Sequence, residues 1–281
     1  MTEGFDRSAF DFRRARLRSF LHTLRAAMSR QPAQLLAFDE VREKLHLGGP
    51  VFRGVQAVPI ERIVGSVDRY RDFDRLFLPT QSHTADRWRK ISRARYEDVS
   101  LPPVQLFKVG EVYFVVDGNH RVSVARESGQ EYIDAEVREV VSRVPVTPDI
   151  QGDDLECLGE RVEFLERTQL DRLHPEADIK PTIVGGYDRL IEHIAVHGYF
   201  MGIDQGRPPS EGEAVTDWYD TLYRPVVEVV EQSGVLEEFP GRTATDLYLW
   251  IMDHLHYLRS LPGRQALDAR EAARHFIELI G

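Results

Sequence analysis

Between Val112 and Glu127 the hydrophobic pattern changes period within a few residues, and this limits what the first half of the chain can become. Val112 to Val116 is a short run of β-branched and aromatic residues, which reads as a buried strand. Asp117-Gly118 follows as a tight turn. Asn119, His120 and Arg121 then open a helix that ends near Gly129. Strand, turn and helix start in that order aim the unpaired amides of the first helical turn, and the positive end of the helix dipole, at one spot. His120 and Arg121 add an imidazole and a guanidinium. Such a spot attracts anions, phosphate foremost.

The surrounding pattern supports an α+β reading. Val55–Pro59 and Ile133–Val140 read as strands. Val104–Val109 and Val112–Val116 read as a hairpin around Gly110-Glu111. Residues 84–96 form a helical pattern with Thr84 as cap and Trp88, Ile91 and Tyr96 as its apolar positions. Ile60–Val64 is a short turn or helix. A mixed-sheet domain is expected over 51–145.

An N-terminal helical arm is expected over 1–50. In its first helix, about 5–30, Phe10, Leu17, Phe20, Leu21, Leu24 and Met28 recur at helical spacing. Arg7, Arg13, Arg14, Arg16, Arg18 and Arg25 surround them. The apolar stripe demands burial, on the protein's own surface or on a second copy, more than contact with nucleic acid or an anionic surface. A second helix, Phe38–Leu45, stops before Gly48-Gly49-Pro50.

Pro145, Pro148 and Gly152 mark 141–152 as a linker. From 153 to 281 the pattern is mostly helical, at about 153–168, 185–199, 210–232, 243–260 and 266–280. Pro225 should kink or divide the third helix. Ser210 with Glu213 is a capping-box pair, and Thr243 is placed to cap the fourth. The fold class expected is α+β: a small mixed-sheet domain with a helical arm before it and an acidic, mostly α-helical domain after it.

Charge narrows the partners. The 281 residues carry a net charge of −10. Residues 151–281 hold 12 Lys+Arg against 25 Asp+Glu, whereas residues 1–150 hold 24 against 21. The second half would repel a polyanion, so DNA is a disfavoured partner. One cysteine, Cys157, rules out an internal disulfide and suits a reducing cytoplasm. No apolar run nears the ~20 residues of a membrane span, so no membrane partner is expected. The polar, arginine-rich start does not read as a secretory signal.

From Val58 to Val140 the chain resembles the ParB/sulfiredoxin-like domain. The resemblance rests on Pro59-Ile60 at a strand entry and on the arginines Arg69 and Arg71. It continues through Pro102-Pro103-Val104 at a second strand, the box Asp117 to Arg121, and the strand Ile133–Val140. In that family the box holds a nucleotide's phosphates. Chromosome-partitioning members write it Gly-Glu-Arg-Arg; Gly118 and Arg121 match, while Asn119 and His120 depart. Sulfiredoxins write it Gly-Cys-His-Arg; Gly118, His120 and Arg121 match, and Asn119 stands in place of the reactive cysteine. An amide is no thiolate, so sulfiredoxin chemistry is excluded. The missing glutamate weighs against partitioning-type CTP hydrolysis. Related kinases use an Asp-Gly-x-x-Arg box, which keeps phosphoryl transfer open. The flanks resemble a bacterial family, without assigned activity, that couples such a domain to a helical one.

The resemblance implies a nucleoside triphosphate, ATP or CTP, with Mg²⁺. Gly118 lets the backbone approach it, and Asn119, His120 and Arg121 contact phosphate oxygens. Asp117 holds Mg²⁺ or orients Arg121, and Arg69 or Arg71 closes from across. Ser123 reads as structural. The protein is then a switch or a slow NTPase or phosphotransferase. A DNA-associated regulator is one alternative. Another is a metal-binding helical domain supported by the α/β part. Its candidates are His193 and His197, four apart on one helix, with Asp253 and His256, three apart on another. Trp250, Tyr257 and Leu249 nearby suit ordinary packing instead. Trp218, Tyr219, Tyr223 and Tyr248 read as that domain's core, with a ligand groove as the lesser reading.

Overall fold

A computed structural model describes residues 3–29, 34–97, 99–261, 263 and 266–280. The chain divides into two compact units, Met1–Gly159 and Glu160–Gly281. The fold is α+β, as expected. No helix among the described residues is long and apolar enough to cross a membrane.

The first unit contains α1 (Glu3–Ser29), β1 (Leu36–Ala37), α2 (Phe38–Lys44), β2 (Val51–Pro59), a 3₁₀ turn at Ile60–Arg62 and β3 (Ile63–Ser66). After a long loop come a 3₁₀ turn at Ser82–Thr84, α3 (Ala85–Tyr96), β4 (Val104–Val109), β5 (Val112–Asp117), α4 (Asn119–Glu127) and β6 (Tyr132–Val140). Six strands form one mixed sheet in the order β1-β3-β5-β4-β6-β2. β3 runs parallel to β5, and β4 is antiparallel to β5 and parallel to β6. The sequence reading missed β1 and β3. Both are too short to show a period, and their partners lie far along the chain. Gly65 is what lets them meet, since a Cβ there would stand 2.4 Å from the Leu36 carbonyl oxygen and 2.5 Å from the Phe114 ring.

Successive side chains of β5 point to opposite faces. Phe114 turns to α2, where the Phe38 ring lies 5.4 Å away. Tyr113 and Val115 turn to the core shared with Val122 and Ala125 of α4. Behind α4, a smaller core joins Phe12 and Ala15 of α1, Trp88 of α3 and Val124. Trp88 donates its indole N–H to Ser123 at 2.9 Å, which confirms the structural role of that hydroxyl.

Two expectations change here. First, the N-terminal helix docks by a face other than its apolar stripe. α1 packs by Ser8, Phe12, Ala15 and Ser19, a face the apolar stripe does not predict. Arg14 and Arg18 each donate at 2.8 Å to the buried Glu127 carboxylate. Small residues allow that close packing, and a stripe search overlooks them. Met28 falls where side chains are outside the described set. Second, the segment read as a linker packs against the first unit through buried Val144, Val146 and Ile150. Buried Arg75 donates to the carbonyls of Val64, Pro148 and Ile150.

Helix α5 (Asp154–Thr168) carries the boundary. The second unit continues with α6 (Leu170–Leu173), α7 (Gly186–Gln205), α8 (Glu211–Trp218), a π-helical turn at Tyr219–Tyr223 and α9 (Arg224–Ser233). A 3₁₀ turn at Val235–Glu238 leads to α10 (Ala244–Arg259) and α11 (Ala269–Ile280). Pro225 does not break the third predicted helix: it follows the π-helical turn directly, and the helical run continues from Glu211 to Ser233. Ser210 and Thr243 both make full capping boxes, with Glu213 and Asp246. Trp218, Tyr223 and Tyr248 form the core, with the Trp218 N–H donating to the Tyr248 hydroxyl at 3.0 Å.

Candidate functional site

At the end of β5 the chain must reverse into α4 without space for a side chain. Gly118 does this with φ +107°. A Cβ there would stand 2.6 Å from Val104 Cγ1 and 3.0 Å from Arg121 Nη2. The Val122 N–H donates to the Gly118 carbonyl at 3.0 Å, the first bond of the helix. The amides of Asn119, His120 and Arg121 therefore have no carbonyl behind them within the helix.

These amides open on a cavity of about 240 Å³ lined by Asp117 to Arg121 and by Asp68, Arg69, Arg87, Ile91 and Val116. Asn119 and His120 are 6% and 5% exposed. Asn119 Oδ1 and His120 Nε2 are buried and have no hydrogen-bond partner. Leaving two such atoms unpaired is costly unless a ligand or water supplies the missing bonds. Burial first, then the positive charges of Arg87 and Arg69, lowers the His120 pKa from 6.5 to about 4. At neutral pH the ring is uncharged, held edge-on to Phe73 at 5.3 Å.

Arg69 lines the cavity, fixed by a 3.0 Å bond to Asp72, whose other oxygen faces His83 at 3.3 Å. Arg71 does not line it; its guanidinium lies over the Tyr70 ring at 5.5 Å. The choice that spacing left open thus falls on Arg69. Arg121 is more committed than expected. It donates to the Asp117 carboxylate at 2.5 Å, to the Pro103 carbonyl at 2.9 Å and to the Pro102 carbonyl. Asp117 therefore orients Arg121, and three of five guanidinium protons are used. Sequence reasoning missed Arg87 and Asp68. Arg87 is one of several arginines on α3, and only helix docking shows which one faces the box.

The four metal candidates are not gathered into one group. His193 packs edge-on to Tyr248 at 5.7 Å, His197 bonds Asp217 at 2.5 Å, and Arg189 donates to Asp253 at 2.7 Å. His256 lies exposed in the last turn of α10. Among the described residues no three His, Cys, Asp or Glu side chains come together to hold a metal ion. Histidine spacing put each pair on its helix, but His197 and Asp253 take partners off those helices, and His193 Nδ1 is buried without a hydrogen-bond partner. A hollow of about 780 Å³ is a groove in the second unit along α7, lined by Ile194, Tyr199, Ile203 and Pro209. It is larger than the cavity at Gly118 but gathers no comparable set of unpaired polar groups.

The chain matches no known family model and no curated protein.

Proposed function

We propose that the first unit binds the phosphates of a nucleoside triphosphate at the cavity beside Gly118, as the resemblance to ParB/sulfiredoxin-like domains implies. One observation carries the reading: the buried, unpartnered Asn119 Oδ1 and His120 Nε2 sit with Arg69 and Arg87 around the open start of α4. Phosphate oxygens would accept from the three free amides, from both guanidiniums and from His120 in its Nε2–H tautomer. Asn119 would turn its amide nitrogen toward them.

Asp68 and Asp117 are the carboxylates of this cavity. Two carboxylates do not make a protein-held metal site, but they suit Mg²⁺ carried in by phosphates, which keeps most of its water. The module acts as a nucleotide-dependent switch or a slow phosphotransferase. We place it in the cytoplasm, where the exposed Cys157 thiol stays reduced.

Calorimetric titration with ATP and CTP, each with Mg²⁺, tests this. Arg87→Ala and Asn119→Ala should each weaken binding about 10-fold or more, as loss of a charged or buried hydrogen bond does. Arg71→Ala should leave it unchanged. No heat with either nucleotide or with inorganic phosphate removes the proposal.

A further inference from the structure

Helix α1 packs on the first unit by one face and leaves its apolar stripe on the opposite side uncovered. Ser8, Phe12, Ala15 and Ser19 face inward, whereas Phe10, Leu17, Phe20, Leu21 and Leu24, half a turn round, are 42% to 65% exposed. We infer that this outer face pairs two copies of the chain through antiparallel α1 helices.

The spacing is that of a helix-pairing seam. Phe10, Leu17 and Leu24 recur every seventh residue, and Phe20 takes the second seam position. The helix is a firm platform for it. Phe12 packs on Trp88 at 5.6 Å, and Glu127 holds Arg14 and Arg18.

Area and charge choose the occupant. A large apolar side chain offers roughly 150–250 Å² when fully exposed, so these five expose about 500 Å² per copy. Fully covered, two copies would bury up to about 1,000 Å², the lower bound for a specific interface. Direction follows from Arg13, which also falls in the seam. Parallel helices would oppose two Arg13 guanidiniums in a desolvated contact. Antiparallel helices centred on Leu17 avoid this. They set Leu17 on the partner's Leu17, Phe10 near the partner's Leu24, and Arg13 beside the partner's Leu21. The interface is isologous and closes at two copies.

No residue of the phosphate cavity lies in this seam, so the two readings fail independently. Sedimentation of the full chain at micromolar concentration should show a dimer, and Leu17→Glu a folded monomer with unchanged nucleotide binding. In a Cys157→Ser background, Leu17→Cys should form a disulfide dimer under mild oxidation. Phe10→Cys should form one only when mixed with Leu24→Cys. A wild-type monomer, including one that binds anionic vesicles through this helix, overturns the inference. So does a dimer that Leu17→Glu leaves intact. Phe10→Cys cross-linking to itself as readily as Leu17→Cys overturns the antiparallel arrangement.

Discussion

His120 is the residue on which stability and binding meet. Its folded pKa of about 4 lies below the 6.5 of the free side chain, because burial and two arginines disfavour the imidazolium. Between these values the unfolded chain binds more protons than the folded one. Stability from this group is therefore present above pH 6.5 and declines as pH falls toward 4. His120→Gln should flatten that decline in urea melts taken across the window; an unchanged slope would show that the ring is not held neutral. Gly118 tests the turn. Gly118→Ala needs a positive φ and a Cβ against Val104, and should cost about 1–3 kcal/mol in urea unfolding. A neutral result would mean that the turn relaxes without strain.

Among the elements, α1 and α4 are joined by an asymmetric ion pair. The Glu127 side chain is 3% exposed, whereas those of Arg14 and Arg18 are about half in water. Removing both arginines strands a buried carboxylate; removing the glutamate frees two arginines that water already reaches. Arg14→Ala with Arg18→Ala should thus cost about 2–3 kcal/mol, and Glu127→Gln roughly 1 kcal/mol, read from denaturant midpoints. The reverse order would show that the pair acts through packing instead. Element boundaries were largely legible from sequence, because caps and periods are local. The Ser210 capping box, the Thr243 cap and the hairpin at Gly110 stand where their residues predict, whereas Thr84 makes no side-chain cap bond. The face by which α1 docks was not legible. A face of serine and alanine carries no hydrophobic signal, and the stripe that does carry one points outward.

At the scale of the whole molecule, each unit has its own core and its own reporter. Trp88 is buried in the first unit, and Trp218 in the second. Fluorescence of Trp88→Phe reports the second unit, and that of Trp218→Phe with Trp250→Phe reports the first. Their urea transitions should not coincide, since separate cores need not melt together. Superimposed curves would make the chain one cooperative body.

Periodicity, caps and the turn at Gly118 determined most of the strands and helices, β1 and β3 excepted, and singled out the start of α4 as the proposed anion site. These depend on neighbours a few residues apart. Tertiary structure alone decided which side chains share the cavity. Arg69, Arg87 and Asp68 come from segments 30 to 50 residues before the box, and nothing in their local pattern separates them from other surface charges. It also decided that His193, His197, Asp253 and His256 do not gather into one group, and that 141–152 is packed. Burial and charge pairing depend on long-range contact, which helical spacing does not encode.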